Sequence, residues 1–260
     1  MLGNNVAWEP ELYLHGNYFQ NEISDAFRKC FKVKPCGTIL DIGCGEGQYT
    51  SRVADTIKHS HILGIDSSEA MINHASRQWA RKNLSFEVHN IEELECSQVF
   101  DFILSFWCLH WTNIEASLPN IFHALKKGGR VYAVFSSFSD NSILQVWHEL
   151  AKQNRYADLT DKYINPIHQH TNYFYHVFHV LNQLPFKQVT VNLKTVTVFF
   201  PNINYFKNLL LTMPFTSTFP AEIIEGFLEE MVQTFQNICQ RKYGGKLYYE
   251  TRPIFLEAIK

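Results

Sequence analysis

The spacing of hydrophobic positions changes several times along the chain, and each change marks an element. From Glu9 to Lys32, Leu12, Tyr18/Phe19, Ile23, Ala26/Phe27 and Cys30/Phe31 recur at helical spacing, predicting one amphipathic helix ahead of the first strand. Short apolar runs follow at Thr38 to Ile42, Ile62 to Asp66, Leu84 to His89, Phe100 to Phe106 and Arg130 to Ser136. Continuous runs such as Phe100 to Phe106 suit strands covered on both faces. Helical segments separate them: Gln48 to Ile57, then Ser67 or Ser68 as an N-cap of a helix to about Lys82. A third helix runs to Lys126, its first turn between Thr112 and Pro119, where proline is tolerated, and Lys127-Gly128-Gly129 ends it. This alternation of strand and helix predicts a right-handed, doubly wound parallel sheet.

The second half is less regular. Asn141 to Asn154 reads as helix, Tyr156 to Thr171 as polar loop, and Tyr173 to Gln183 as helix through Phe174, Val177, Phe178 and Leu181. Val189, Val191 and Leu193, then Val196, Val198 and Phe200, alternate along Lys187 to Phe200, so a strand with an offset or bulge near Lys194-Thr195 is expected. Helices over Ile203 to Thr212 and Ala221 to Arg241 precede a turn at Gly244-Gly245 and a last strand, Leu247 to Ile259. That makes seven strands.

Candidate chemistry gathers after the first strand. Gly43, Gly45 and Gly47 stand at alternate positions between Asp41-Ile42 and a helix, where glycine admits positive φ and lets a ligand approach the backbone. The helix start adds unpaired N–H groups and a positive dipole end. A Walker loop would need Lys-Ser/Thr after the last glycine, and Gln48-Tyr49 stands there instead. The dinucleotide fingerprint is nearer, but the spacing here is G-x-G-x-G and suits a different adenosine ligand. Asp66 ends the second strand 19 positions after Gly47, where a carboxylate can accept both hydroxyls of a ribose.

With these residues the chain resembles the class I S-adenosylmethionine-dependent methyltransferases, whose first motif reads here Leu40-Asp41-Ile42-Gly43-Cys44-Gly45-Glu46-Gly47. Phe100-Asp101-x-Ile103-x-Ser105-Phe106-x-Cys108-Leu109-His110-Trp111 resembles the strand-four motif of the juvenile hormone acid methyltransferases. It is less similar to those of the trans-aconitate and malonyl-carrier-protein methyltransferases. Glu11-Leu12-Tyr13, Asn17 and Gln20 resemble the N-terminal helix of the first group, and Asn165-Pro166-Ile167-His168 and Tyr248 to Pro253 fit it loosely. Asn90 stands where an Asp is frequent and Lys127 where a Pro is usual.

The resemblance implies an α/β fold: a doubly wound Rossmann-like sheet of seven strands, the last antiparallel, with an N-terminal helical cap and C-terminal helical insertions. It implies one domain over 1–260, with the cap at 9–32, a cofactor-binding core at 33–140, an acceptor side at 141–245 and the last strand at 246–260. S-adenosylmethionine is the implied cofactor, held by Asp41, Gly43, Gly45 and Gly47 around its methionine half, Asp66 on the ribose and Asn90 with Ile91 at the adenine, and Cys44, Ser67 and Ser105 beside them. All three groups methylate a carboxylate, so the implied acceptor is a small organic acid. Its carboxylate would be held by Gln20 and Trp111, whose side chains offer neutral N–H groups.

A carboxylate with a pKa of about 4 is already an ionised nucleophile at neutral pH and needs no general base. A hydroxyl or amine acceptor would need one, and His110 is the candidate; otherwise His110 orients its neighbours. His168, His170, His176 and His179 lack the companions of a zinc set, so no metal is expected. A non-catalytic cofactor-binding subunit is a further reading, though a scaffold does not need Gly43, Gly45, Gly47 and Asp66.

Composition narrows the partners. A net charge of −2, without a Lys/Arg cluster longer than a pair, gives no footprint for nucleic acid. Six cysteines lacking any C-x-x-C spacing suit a reduced, cytoplasmic protein, and no apolar run reaches membrane-spanning length. A monomer or homodimer is expected. Phe (21) and Tyr (12) are abundant, which by default means core filling.

Overall fold

The computed structural model describes residues 9–32, 37–57, 59–153, 172–217 and 221–260. Its strands are β1 (Thr38–Ile42), β2 (His61–Asp66), β3 (Leu84–Val88), β4 (Phe100–Phe106), β5 (Leu125–Phe135), β6 (Gln188–Leu193), β7 (Val196–Phe199), β8 (Tyr248–Thr251) and β9 (Ile254–Ile259). Helices are α1 (Pro10–Gly16), α2 (Tyr18–Arg28), α3 (Gln48–Thr56), α4 (Glu69–Trp79), α5 (Ile114–Ala124), α6 (Ser142–Ala151), α7 (Tyr173–Gln183), α8 (Asn204–Leu211) and α9 (Ala221–Tyr243). Among the described residues no helix is long and apolar enough to cross a membrane.

The main sheet has seven strands in the order β3-β2-β1-β4-β5-β9-β6. β1 to β5 pair in parallel, and β9 runs antiparallel between β5 and β6. Neighbouring residues of β1 feed different layers, as the two-residue period of a strand requires: Ile39 packs with Val53, Ala54, Ile72 and Ala75 of α3 and α4. Leu40 belongs instead with Leu118 and Ile121 of α5 and Val177 and Leu181 of α7. The two layers explain why these strands read as unbroken apolar runs. Because β1 lies between β2 and β4, the chain leaves β1 and β4 toward opposite faces, opening a crevice at their carboxyl ends.

A third apolar cluster lies off the sheet. Phe19 and Ile23 of α2, Val146 and Trp147 of α6, Phe206 of α8, and Phe227, Met231 and Phe235 of α9 pack together. This cluster absorbs much of the aromatic content; Phe206 and Phe235 stack at 3.9 Å between ring centroids.

Four elements differ from the pattern-based expectation. The single helix over Glu9 to Lys32 is two, meeting at Asn17 (φ −89°, ψ 16°), whose Oδ1 accepts from Asn21 Nδ2 at 2.9 Å. Gly16 there touches the end of α8: a Cβ on it would collide with the Thr212 side chain and come within 2.8 Å of the Asn208 carbonyl. The helix expected to reach Lys126 stops at Ala124, and Pro119 lies inside it rather than in its first turn. Lys260 Nζ donates to the carbonyls of Phe122 (2.8 Å) and Leu125 (2.7 Å), a cation at the negative end of the helix in place of a glycine cap. The expected bulge near Lys194-Thr195 is a change of sheet: β6 pairs with β9, whereas β7 leaves to pair with β8. The last strand is correspondingly two, broken at Arg252-Pro253, since proline has no N–H to continue a ladder. The run Asn165 to His168, with His170 and the loop expected over Tyr156 to Thr171, lies outside the described residues.

Candidate active site

The crevice deepens into a cavity of about 680 Å³, closed on one side by the loops after β1 to β5 and on the other by α1, α2, the start of α6, the residues after α8, and β8. Asp41, Gly43, Cys44, Gly45, Asp66, Ser67, Asn90, His110, Trp111 and Gln20 all reach it.

The loop after β1 is left-handed at Gly43 (φ 69°), Gly45 (φ 56°) and Gly47 (φ 83°). Its first two N–H groups, on Gly43 and Cys44, both donate to the Ile65 carbonyl at 2.8 and 3.0 Å, tying the loop to β2. A side chain on Gly43 would run into Cys108, so this glycine lets the loop after β4 close against the loop after β1. Gly45 has open space where a Cβ would stand and presents bare backbone to the cavity. Gly47 does not line the cavity: a Cβ there would be 2.7 Å from Ala75 and 2.9 Å from Phe86, so it serves the packing of α3 on α4 and β3.

Three carboxylates meet at this wall. Asp41 accepts from Thr50 Oγ1 at 2.6 Å, and Asp66 accepts from Ser68 N at 2.9 Å and Gly45 N at 3.1 Å. Burial pushes the Asp41 carboxyl up to about 7, and the nearby Asp66 adds to this against the Thr50 hydrogen bond. Burial likewise raises Glu46 to about 7, with Asp66 and Asp41 contributing, and it raises Asp66 against the N–H groups of Ser68 and Gly45. None of the described residues lining the cavity is Lys or Arg. Buried acids without a cation suit a positively charged ligand, and the sulfonium and ammonium of S-adenosylmethionine fit that donor set. Asn90 faces the cavity with its Oδ1 committed to Glu92 N at 3.0 Å.

Two expected cofactor residues stay in the wall behind. Ser105 is fully buried and donates its hydroxyl to the Ile42 carbonyl at 3.0 Å, stitching β4 to β1. The Ile91 side chain is in the core, and its carbonyl accepts from Asn120 Nδ2 at 2.8 Å.

The cap side of the cavity, together with the turn after β4, is neutral. Gln20 is 9% exposed; its Oε1 is buried without a partner, and Nε2 is the end of the amide left accessible. His110 and Trp111 sit in a turn after β4 with ring centroids 5.0 Å apart. The Ser136 N–H donates to His110 Nδ1 at 3.3 Å, so the ring proton resides on Nε2. Burial holds the His110 pKa down to about 3, and the ring is a neutral N–H donor at physiological pH. Among the described residues no three His, Cys, Asp or Glu come together as a metal set; His176 lies 3.8 Å from Glu115, and His179 hydrogen-bonds Gln183.

Sequence reasoning missed several lining residues. Glu46 was inside the glycine motif, and only burial reveals it as a third acid. Tyr49 carries no local signal, because tertiary packing alone turns it inward, and Tyr13, Asn17 and Tyr249 belong to runs that carry the resemblance but had no site role expected of them. Trp107 had none either: it is left-handed (φ 59°), which costs a residue with a Cβ about 1–3 kcal/mol, and it lines the cavity.

Residues 39–129 match a family model described as a methyltransferase domain. The chain is 27% identical over 246 residues to juvenile hormone acid O-methyltransferase of Drosophila melanogaster, covering 86% of this chain and 81% of that protein. It is 27% identical over 161 residues to methyltransferase 235L of Invertebrate iridescent virus 6, covering 62% of this chain and 60% of the viral protein. Among solved structures, phosphoethanolamine N-methyltransferase 2 of Haemonchus contortus, in complex with S-adenosyl-L-methionine, superposes with a TM-score of 0.55 at 20% identity. That likeness covers 94% of this chain and 52% of the nematode chain, so this chain spans little more than half the length of the viral and nematode proteins.

Proposed function

We propose that the chain is a class I S-adenosylmethionine-dependent methyltransferase and that its acceptor is the carboxylate of a small organic acid. The observation that carries this reading is the neutral wall. Its one histidine among the described lining residues is locked as an N–H donor by Ser136 and held far from the charged form, so it is not a general base at physiological pH. An acceptor that arrives ionised needs none. The juvenile hormone acid O-methyltransferase relative, by its name, also acts on an acid.

The division of labour follows from the two walls. Asp41, Glu46, Asp66, the bare backbone at Gly45 and the Asn90 side chain hold the cofactor, which when bound supplies a methyl group on a positively charged sulfur. Gln20 Nε2 and the Trp111 indole hold the acid from the cap side and from the turn after β4, and His110 Nε2–H stands beside them. Neutral donors are the fitting choice. A Lys or Arg would grip the ground-state anion most strongly and lose that grip as its charge is neutralised during transfer. One carboxylate oxygen bonds to the methyl carbon, the carbon–sulfur bond breaks with its electron pair going to sulfur, and no proton moves. The chain's contribution is alignment at roughly 3–3.5 Å and exclusion of water.

The test is transfer of labelled methyl from S-adenosylmethionine to panels of carboxylic acids, alcohols and amines at saturating cofactor. A base-labile ester product and a kcat/KM flat from about pH 6 to 8 are expected. A base-stable product with an acidic limb that disappears in His110→Ala would reverse the assignment toward a hydroxyl or amine acceptor.

A further inference from the structure

Trp107 occupies a place that neither the cofactor nor the acceptor assignment explains. It follows β4 directly in a left-handed conformation, and it is 9% exposed. Its backbone N–H donates to the Val134 carbonyl at 2.6 Å, which carries the β4–β5 pairing one residue past the strand and fixes the indole to the rigid sheet edge. From there the indole Nε1–H donates to the backbone carbonyl of Gln20 at 3.2 Å, across 87 positions of sequence. The ring also meets Phe19, the residue before Gln20, edge-on at 5.1 Å between centroids. Phe19 in turn packs on Tyr249 of β8 at 4.6 Å.

The Gln20 side chain has little to hold its place, although its backbone is held by α2. Its side chain makes no hydrogen bond within the described residues, and its amide oxygen is buried unpartnered. A free glutamine side chain retains rotamer freedom that binding must remove. The position of its Cα relative to the sheet therefore decides where its amide can reach, and the link from Trp107 is a direct hydrogen bond from the sheet edge to that residue's backbone.

We infer that Trp107 is a positioning residue that clamps the Gln20 backbone of the cap helix to the end of β4, so that the Gln20 amide is presented to the acceptor in register with the methyl donor. This rests on the assignment of Gln20 to the acceptor. The left-handed backbone at Trp107 has a reason on this account: it turns the indole from the sheet edge toward α2 instead of continuing the strand.

Trp107→Phe keeps an aromatic ring against Phe19 and removes the donated N–H together with part of the indole's volume, so the size of its effect is read against the double mutant. With a carboxylic acid substrate it is expected to lower kcat about threefold to tenfold while leaving the dissociation constant of S-adenosylmethionine unchanged. The deciding measurement is the double-mutant comparison. In a Gln20→Ala background Trp107→Phe should add less than a twofold further loss, because there is no amide left to position. A loss of equal size in both backgrounds makes Trp107 a generic packing residue and overturns the clamp, as does full kcat in Trp107→Phe. A second reading needs no acceptor. The Trp107 indole N–H resonance of the wild-type protein should exchange with water at least a hundredfold more slowly than an exposed indole, and rapid exchange would also overturn the clamp. Absence of any acid methylation by the wild-type enzyme, with the indole protected, would instead count against the carboxylate reading and leave the Trp107–Gln20 link standing.

Discussion

The cavity has two walls built in different ways. The sheet wall comes from loops leaving neighbouring parallel strands, so its acids and glycines are a few residues from strand ends and are placed by the register of β1, β2 and β4. The cap wall comes from α1, α2, the turn after β4 and β8, which meet through aromatic packing and through hydrogen bonds such as that from Trp107 to the Gln20 carbonyl, between segments far apart in the chain. The first wall concentrates buried negative charge and the second offers neutral donors. Charge that a ligand can compensate is thus kept on the sheet side, and the proposed acceptor side is assembled from parts distant in the chain.

The largest difference between walls should appear at the glycines. Gly43→Ala combines a left-handed backbone with a clash against Cys108, and should destabilise the protein by about 2–5 kcal/mol in chemical denaturation and abolish cofactor binding. Gly45→Ala has the same backbone handicap but open space, so about 1–2 kcal/mol is expected. Equal effects would mean that the close approach of the β1 and β4 loops is not what Gly43 provides.

Next comes the buried acid. With Glu46 raised to about 7 in the folded protein, the native state keeps a proton that the unfolded chain releases from about pH 4.5 upward. The unfolded state binds fewer protons in that window, so the unliganded protein loses stability as pH rises to about 7. Glu46→Gln lacks this titration. It should match the wild type near pH 4 and exceed it by on the order of 2–3 kcal/mol above pH 7, an effect that parallel pH–stability curves would rule out.

The two walls should also separate kinetically. Asp66→Ala is expected to weaken S-adenosylmethionine by about 1.5–3 kcal/mol in calorimetry, the scale of hydrogen bonds to a charged group. Gln20→Ala and Trp111→Phe should each reduce kcat/KM for the acid about ten- to a hundredfold, or about 1.4–2.7 kcal/mol, with cofactor affinity nearly unchanged. Cofactor loss in the Gln20 or Trp111 variants would collapse the distinction. The smallest effect is one of shape rather than size: whatever His110→Ala does to the rate by disturbing Trp111, its pH profile should stay as flat as the wild type's, because the wild-type ring is neutral throughout.

How legible each wall was in the sequence follows from the same contrast. Thr38-Ile39-Leu40-Asp41-Ile42 and the glycines after it announce a strand, a left-handed loop and a helix through rules that act over a few residues, and the acid at Asp66 follows from the next strand end. Gln20 and Trp111 were reached through a resemblance and not through any local rule. Ser105 and Ile91 were also implied by the resemblance, and tertiary structure commits the Ser105 hydroxyl to the neighbouring strand at Ile42 and the Ile91 side chain to the core. The unexpected break at Asn17 and the departure of β7 to β8 have the same origin, since each depends on a partner more than fifty positions away or on a proline in the other strand.

By itself the sequence determined the alternation of strands and helices, the doubly wound parallel sheet and the glycine loop with its acids, because period and backbone permissiveness are properties of neighbouring residues. Tertiary structure alone decided which glycine faces a ligand and which faces Cys108 or Ala75, that Glu46 joins Asp41 and Asp66, that Ser136 fixes the His110 tautomer, and that Trp107 meets Gln20. Those outcomes depend on burial and on contacts between segments far apart in the chain, and no rule acting along the chain contains them.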